Sequence, residues 1–346
     1  MKRHTPLKIS VCYIVKNEEK NLPLSLASLT NQVDEVVVVD TGSTDKTMEI
    51  AKNYGAKVFE SPWNNDFSTP RNMALDNATG DWIIFLDADE YFTEATRANL
   101  RTVIEQGDKH NKEGLLVNLV NIDIDRNNKI LDTTFILRIF RRALNCRYVG
   151  RIHEELRKPN GQTISDISII PTNLLELYHT GYSAGINADK ARRNLKMLLA
   201  ELELTNHPEN IYGYIAQCYN GLDDYANAEK YALLDINGGR RETTFASSSY
   251  RILLHLLSKD PRRMEDRIKY VKNAIKDFPE TPEFSAELAE CYAAQRKFSE
   301  AIVEMETALK KFKSYKSLEP MFFGQQTVEL ANKHIALWRK LINEKN

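Results

Sequence analysis

A short apolar run from Trp82 to Leu86 leads directly into two carboxylates, Asp87 and Asp89. Continuous apolar residues over this length are typical of a strand that is buried on both faces of a sheet. Carboxylates at the end of such a strand are costly to bury unless something pairs with them, and a divalent cation that also holds phosphate oxygens is the natural partner. Because open α/β sheets bind ligands at the carboxyl ends of their strands, the run predicts a binding site at Asp87 and Asp89. An acidic surface turn is the alternative interpretation.

The segments around this run predict a doubly wound, mainly parallel α/β sheet. Strands and helices alternate before it, a pattern that is typical of parallel sheets with helices on both faces. The predicted strands are 8–15, 36–39 and 56–60, and the predicted helices begin at Leu22, at about Lys46 and at Phe67. After the apolar run we expect a helix from Glu90 to about Gln106, strands at 114–122 and 129–140, and an extended stretch at 164–177. The chain lacks GxGxxG, so the dinucleotide-binding fingerprint is missing.

Two more charged residues lie on the same predicted rim. The second strand ends at Asp40, and Gly42 supplies the turn that follows it. A carboxylate at this position suits a nucleoside ring or a ribose, because it accepts their hydrogen bonds. Arg71, in the helix that precedes the acidic strand, provides a cation for the charge of a pyrophosphate. The alternatives are a helix cap for Asp40 and a surface cation for Arg71.

Two histidines are candidates for a further metal ligand. His153 and His179 each lie near a polar turn at the end of an extended segment. Imidazole readily joins carboxylates at a borderline metal, so one of them is expected beside the two aspartates. A histidine that is satisfied within the fold is the alternative for each.

The bulk composition excludes several classes of protein. The 346 residues include 47 basic and 48 acidic side chains, so the net charge of −1 gives no strong field for nucleic acid or an anionic membrane. No apolar run reaches the roughly eighteen residues of a membrane span. The apolar run near the N-terminus passes into Lys16 without a small-residue cleavage site, which favours a first strand over a signal peptide. The four cysteines are scattered, as in a cytoplasmic protein with reduced thiols.

From Asn187 onwards the apolar pattern is helical, and short segments recur. The segment 274–278 recurs at 308–312, an offset of 34 residues. A period of about 34 residues is the signature of tetratricopeptide (TPR) repeats, which stack paired helices into elongated surfaces. We therefore predict two domains, an α/β domain at 1–185 and an all-α, TPR-like repeat domain at 186–346.

Six segments together resemble family-2 glycosyltransferases with a GT-A fold. They are ISVCYIVKNEE, VVVVDTGSTDKT, WNNDFSTPRNMAL, GDWIIFLDADE, RIHEE and YHTGY. The chain is most similar to the bacterial branch that has helical repeats after the catalytic domain, a branch that includes the peptide S-glycosyltransferases of bacteriocins (glycocins). The resemblance covers about residues 7 to 205. The DxD segment alone is weak evidence, whereas six motifs in this order are specific.

The resemblance implies an inverting transfer of a sugar from a UDP-sugar donor. It implies that the donor-binding residues are Val15, Glu18, Asp40, Gly42, Arg71, Asp87 and Ala88. Val15 and Glu18 would lie beside the nucleobase, and Asp40 would contact uracil or ribose. The metal ligands that it implies are Asp87, Asp89 and His179. The metal would be Mg²⁺ or Mn²⁺, which stabilises the leaving diphosphate as a Lewis acid.

An inverting reaction also needs a base for the acceptor, and Glu154 and Glu155 are the candidates. In a strand, adjacent side chains point in opposite directions, so one of the two faces the site, and we assign Glu154. A solvated strand edge is the alternative for both. A cysteine acceptor would demand less of the base, because a thiol ionises more readily than a hydroxyl.

These inferences predict a metal-dependent glycosyltransferase that moves a hexose or N-acetylhexosamine to a peptide or protein, at a cysteine thiol or a serine hydroxyl. Elongated repeat surfaces suit polypeptides or self-association, so we also expect a homodimer through the repeat domain. We expect a cytoplasmic protein without a nucleic-acid partner or a membrane span. Two alternatives stay open: a glycosyltransferase that acts on a cell-envelope saccharide, and a non-catalytic TPR scaffold with a relict GT-A domain.

Overall fold

The computed structural model describes residues 6–180, 187–239, 245–317 and 319–344. The chain separates into two compact units, Met1–Ile186 and Asn187–Asn346. The predicted domain boundary at 185 and 186 lies outside the described residues, as does Gly181-Tyr182 of the YHTGY motif.

Within the described residues, the first unit contains a nine-stranded sheet and a two-stranded sheet. The strands are β1 (Ile9–Val15), β2 (Glu35–Asp40), β3 (Lys57–Glu60), β4 (Trp82–Leu86), β5 (Glu90–Phe92), β6 (Gly114–Asp123), β7 (Lys129–Arg141), β8 (Arg147–Val149), β9 (Glu155–Arg157), β10 (Ile167–Ile169) and β11 (Glu176–His179). The large sheet has the order β3-β2-β1-β4-β7-β6-β11-β5, and β10 pairs with β6. Strands β1 to β4 are parallel, whereas β7 is antiparallel to both β4 and β6. The predicted α/β, mainly parallel architecture is confirmed.

Helices cover both faces of the parallel half of the sheet. They are α1 (Leu22–Ser28), α2 (Thr47–Asn53), α3 (Ser68–Asn77) and α4 (Leu100–Lys109). The side chains of β4 alternate between two apolar cores, with Trp82, Ile84 and Leu86 in one and Ile83 and Phe85 in the other. Helices α1 and α4 pack into the first core, and α3 packs into the second. Burial on both faces explains why this strand is continuously apolar.

The segment after the acidic strand differs from the prediction. Residues Glu90–Phe92 form β5, which pairs antiparallel with β11, and helix α4 begins only at Leu100. Phe92 is buried, and its partner across the strand pair is Leu177. A partner so distant in sequence leaves no signal in the local periodicity. The extended stretch predicted at 164–177 likewise forms only the short strand β10 and the start of β11.

The described part of the second unit is helical. Its helices are α5 (Asn187–Leu202), α6 (Tyr212–Gly221), α7 (Tyr225–Asn237), α8 (Ser248–Ser258), α9 (Met264–Asp277), α10 (Pro282–Ala294), α11 (Phe298–Lys313) and α12 (Gln325–Asn343). Small buried residues such as Ala289, Ala301 and Ala308 let α10 and α11 approach closely. The region therefore fits the predicted TPR-like, all-α domain. Among the described helices, none has the length and apolar character that a membrane span needs.

Candidate active site

Three neighbouring strands of the first unit end at one edge of the sheet. Strand β1 lies between β2 and β4, and its last residue, Val15, pairs with Asp40 at the end of β2. Because these strands are parallel, their carboxyl ends share one rim, which includes Asp40 and, directly after β4, Asp87. Ala88 follows with its side chain buried in the first apolar core. The structure thus brings Val15, Asp40, Asp87 and Ala88 to the same edge.

The two carboxylate oxygens of Asp40 differ in their hydrogen bonding. Its Oδ2 accepts hydrogen bonds of 2.9 Å from the backbone N–H groups of Gly42 and Ser43. Gly42 has a φ of +107°, which favours glycine at this turn. The other oxygen, Oδ1, is buried and has no hydrogen-bond partner among the described residues. A buried acceptor without a partner costs free energy, and an N–H or O–H group of a ligand would satisfy it.

Glu18 lies in the loop after β1, beside the start of helix α2. Its backbone N–H donates to Thr47 Oγ1 at 2.7 Å, which fixes the loop against α2. Burial raises the pKa of the Glu18 carboxyl, and the negative charges of Asp89 and Asp87 act in the same direction. Glu18 therefore belongs to the same electrostatic environment as the two aspartates.

Asp87 is held between two arginines. Arg71 of α3 donates from Nη2 to Asp87 Oδ1 at 2.9 Å, and Arg138 of β7 donates from Nη2 to Asp87 Oδ2 at 2.7 Å. Burial alone would raise the pKa of Asp87, but the two guanidinium groups outweigh burial and hold this pKa well below its usual range. Arg71 is buried beside Phe85, with its guanidinium carbon 4.8 Å from the centre of the ring. Both oxygens of Asp87 thus face cations of the protein.

Asp89 and His179 face each other beside this network. His179 Nε2 is 3.2 Å from Asp89 Oδ2, and His179 Nδ1 is 2.7 Å from Asn121 Oδ1. Burial alone would lower the pKa of His179, but the hydrogen bond and charge of Asp89 outweigh it, so the pKa lies above its usual value. When Nδ1–H donates to Asn121, Nε2 is left as the nitrogen that can bind a metal.

Asp89 and His179 are candidate ligands for a divalent cation. Two ligand atoms at right angles around Mg²⁺, with bonds of about 2.1 Å, lie about 3 Å apart. The separation of 3.2 Å between Nε2 and Oδ2 is close to this value. Across the described ranges, no group of three or more His, Cys, Asp or Glu side chains has the geometry of a metal site. Two protein ligands suit Mg²⁺, which commonly completes its shell with substrate phosphates and water.

Glu154 and Glu155 lie in different surroundings. Glu154 accepts a hydrogen bond from Arg71 Nε, and its side chain is 10% exposed. Glu155 begins β9, pairs with an arginine of the same strand and is 50% exposed. His153 is exposed in the loop before them, at a φ of +53°. Of these three residues, the structure connects Glu154 to Asp87 through the shared Arg71.

The part of the chain that forms this rim matches a known family. Residues 10–163 match the family described as Glycosyl transferase family 2. The first unit contains a family 2 glycosyltransferase domain. Asp40, Arg71, Asp87 and Glu154 lie inside the matched segment, and His179 follows it.

The chain is similar to a protein named for its TPR repeats and to a protein named as a glycosyltransferase. The chain is 31% identical over 274 residues to a TPR repeat-containing protein of Synechococcus elongatus, covering 74% of this chain and 62% of that protein. It is 29% identical over 219 residues to the SPbeta prophage-derived glycosyltransferase SunS of Bacillus subtilis, covering 60% of this chain and 48% of SunS. The chain thus spans less than two thirds of the length of either relative. A solved structure, S. aureus TarS 1–349 in complex with UDP-GlcNAc, is 19% identical, covers 89% of this chain and 92% of that chain, and has a TM-score of 0.41.

Three residues near the site of the family 2 domain were missed by the sequence analysis: Arg138, Glu90 and Asn121. Arg138 interrupts the apolar strand segment FILRIF, and a charge inside such a segment is the signal that could have identified it. Glu90 is buried and lies 2.5 Å from Arg138, and burial raises the pKa of its carboxyl. Asn121 gives no sequence signal, because it meets His179 only through the pairing of β6 with β11.

Proposed function

We propose that this protein is a metal-dependent, inverting glycosyltransferase that moves a hexose or N-acetylhexosamine from a UDP-sugar to a peptide or protein. The observation that supports this most directly is the rim of the family 2 domain. There, Asp89 and His179 lie at the spacing of metal ligands. Asp87 and two arginines lie next to them, and Asp40 offers an unpartnered acceptor. A nucleoside diphosphate needs this combination of a cation site, guanidinium groups and hydrogen-bond acceptors.

The nucleoside of the donor is proposed to bind at the loops after β1 and β2. Asp40 Oδ1 would accept a hydrogen bond from the uracil N–H or a ribose hydroxyl, because this oxygen is buried without a partner among the described residues. Gly42 holds the other oxygen through its backbone N–H and so fixes the direction of Oδ1. Val15 pairs with Asp40, and Glu18 follows in the next loop, so both are proposed to lie beside the base.

The diphosphate is proposed to lie between the metal ligands and Arg71. Asp89 and His179 would hold Mg²⁺ or Mn²⁺, which when bound offsets the charge of the leaving diphosphate. Asn121 Oδ1 lies 2.7 Å from His179 Nδ1, and a proton held on Nδ1 by this contact would leave Nε2 available for the metal. Arg71 Nη1 is buried and has no hydrogen-bond partner in the described part of the chain, so it is a donor for a phosphate oxygen. Asp87, with a pKa far below neutrality, stays ionised and keeps Arg71 in place.

Glu154 is proposed to be the base. In an inverting transfer the acceptor attacks the anomeric carbon from the face opposite the diphosphate, and the base takes the proton of the acceptor. Arg71 contacts both Glu154 and Asp87, so the base and the donor site share one rigid side chain. A cysteine thiol would give up its proton more easily than a serine hydroxyl, and both acceptor atoms remain within the proposal.

The acceptor is proposed to be a polypeptide because the second unit is built of helical repeats, whose elongated surfaces suit peptides and proteins. The same kind of surface supports a homodimer. A cytoplasmic location is proposed because all four cysteines are buried free thiols. A cell-envelope saccharide is the competing acceptor, and mass spectrometry of peptides and saccharides incubated with UDP-sugars distinguishes the two.

Thermal unfolding with UDP, GDP and CDP, each with and without Mn²⁺, tests the donor site. A ligand that binds only the folded protein stabilises it, by about 2.7 kcal/mol at a ligand concentration of 100 times its Kd. This stabilisation raises the midpoint temperature of unfolding. We expect UDP to raise the midpoint only with Mn²⁺, and Asp89→Ala to abolish this rise. Asp189→Asn, which changes an exposed carboxylate of the second unit, is the matched control and keeps the rise. The absence of a shift with every nucleotide would contradict the proposal.

A further inference from the structure

Arg138 of β7 contacts two acidic residues of the rim at once. Its Nη2 lies 2.7 Å from Asp87 Oδ2 and 2.5 Å from Glu90 Oε1. The second oxygen of Glu90, Oε2, accepts the backbone N–H of Asp87 at 3.1 Å. Arg138, Asp87 and Glu90 therefore form a closed ring of charge-assisted hydrogen bonds.

This ring encloses the turn that presents Asp89. The backbone N–H of Glu90 donates to the carbonyl oxygen of Asp87 at 3.0 Å, which closes a tight turn with Ala88 and Asp89 at its centre. The carbonyl oxygen of Asp89 accepts the backbone N–H of Thr180 at 3.1 Å. Because Arg138 and Glu90 hold both ends of the turn, they fix the backbone position from which the side chain of Asp89 extends.

The ring is costly to bury. The side chains of Arg138 and Glu90 are 12% and 1% exposed. A buried ion pair adds little net stability, and apolar residues of similar volume often stabilise a fold equally well or better. Stability therefore does not account for an arginine at this position. The orientation of two carboxylates at a ligand site does account for it, because such sites depend on side chains whose direction is fixed by their neighbours.

We propose that Arg138 is a positioning residue of the donor site. It holds the carboxylate of Asp87 and, through Glu90, the turn that directs Asp89 towards the metal and the diphosphate; this role rests on the proposed glycosyltransferase function. Arginine suits the role because its planar guanidinium donates in fixed directions to two carboxylates. The ammonium group of lysine is a point charge and does not fix the angle between them.

The binding of UDP and Mn²⁺ to two lysine variants tests this role. Arg138→Lys keeps the charge and loses the planar group, and Arg141→Lys makes the same change on the same strand. Arg141 pairs with Trp82 at the other end of β4 and contacts Asp108 at 2.5 Å. Isothermal titration calorimetry gives the Kd of UDP in the presence of Mn²⁺, and electron paramagnetic resonance gives the Kd of Mn²⁺ alone. We expect Arg138→Lys to weaken both by about 10- to 100-fold, and Arg141→Lys to match the parent.

Circular dichroism and the unfolding midpoint without ligand separate a loss of fold from a loss of position. If Arg138→Lys does not fold, the double variant Arg138→Gln/Glu90→Gln, which removes both charges together, replaces it, and the same weakening is expected. Parental binding of UDP and Mn²⁺ by either folded variant would overturn the positioning role alone. A parent protein that binds no UDP would overturn the proposed function and this role with it.

Discussion

The two adjacent glutamates, Glu154 and Glu155, differ in what their carboxylates contact. Glu154 accepts a hydrogen bond from Arg71, which also holds Asp87, whereas Glu155 pairs with Arg157 on an exposed strand. General-base catalysis contributes about 10²- to 10⁴-fold to a rate. We therefore expect Glu154→Gln to lower turnover by about this factor and Glu155→Gln to change it little. The measurement is UDP release from UDP-glucose and UDP-N-acetylglucosamine in the presence of peptides that contain cysteine and serine.

Nucleotide binding distinguishes a lost base from a lost site. A glutamine side chain at position 154 still accepts the hydrogen bond from Arg71, so the rise of the unfolding midpoint with UDP and Mn²⁺ should persist in Glu154→Gln. Equal turnover in this variant and the parent would contradict the assignment. A loss confined to Glu155→Gln would transfer the role of base to Glu155.

The acids of the rim could be predicted from the sequence because the pattern that marks them is local. Asp40 and Asp87 each follow a run of apolar residues that forms a buried strand. Arg138 and Asn121 reach the rim only because β7 pairs with β4, and β6 pairs with β11. For the same reason the sequence could not reveal that Asp87 is shared between two guanidinium groups, which depends on a contact across 51 positions of the chain with Arg138.

Glu35, the first residue of β2, links this strand to both of its neighbouring strands through its carboxylate. It accepts hydrogen bonds from Ser10 of β1, from Lys57 of β3 at 2.6 Å and from the backbone N–H of Thr79 at 2.7 Å. Burial alone would raise the pKa of Glu35, but these hydrogen bonds outweigh burial and bring it to about 2. The pKa of a glutamate in an unfolded chain is about 4.3, so the ionised carboxylate stabilises the folded state.

We expect Glu35→Gln to lower the free energy of unfolding at neutral pH by about 2 kcal/mol, as for other hydrogen bonds to a charged group. The contribution of ionised Glu35 is complete above the unfolded pKa and is lost as the pH falls towards about 2, so the difference between the variant and the parent should be smaller at about pH 3 than at neutral pH. Urea unfolding at neutral pH and at about pH 3 measures this. Glu105→Gln, at an exposed position of α4, should change the free energy by less than about 0.5 kcal/mol at either pH. A Glu35→Gln effect of the same size at both pH values would rule out the ionised carboxylate as its cause.

Some strands could be predicted because their own sequence pattern marks them, whereas others depend on a partner strand that is far away in the sequence. Strands β1, β2 and β4 are apolar along their length because helices bury both of their faces, and this pattern needs no knowledge of the partner. Strand β5 has three residues, which is too short for an alternating pattern to be distinguished from a helical one. Its partner, β11, lies far away in the sequence. For this reason the predicted start of the helix after Glu90 was wrong, whereas its second half corresponds to α4.

For the whole molecule, helix α12 offers a surface for the proposed homodimer. Five of its residues recur at alternating spacings of three and four and form the α12 stripe: Thr327, Leu330, His334, Leu337 and Leu341. Leu330 and Leu337 are each 52% exposed, and this spacing is that of the seam in two-stranded coiled coils. By helical periodicity, Lys333 and Lys340 lie on one side of the stripe, whereas Glu290 of α10 contacts His334 from the other side. A second copy, with its α12 parallel across a two-fold axis, would place the lysines of each chain near the glutamate of the other.

We expect the parent protein to have twice the single-chain mass of 39.7 kDa in size-exclusion chromatography with light scattering. The double variant Leu330→Asp/Leu337→Asp should be monomeric, because burying unpaired carboxylates in an apolar seam costs several kcal/mol. Val303→Asp introduces the same charge at an exposed apolar position of α11 and should leave the dimer intact. Because lysine and glutamate pairs at the margin of the seam are screened by salt, the dimer should also weaken as ionic strength rises. A monomeric parent would contradict the homodimer, and a dimer that survives the double substitution would place the interface away from the α12 stripe.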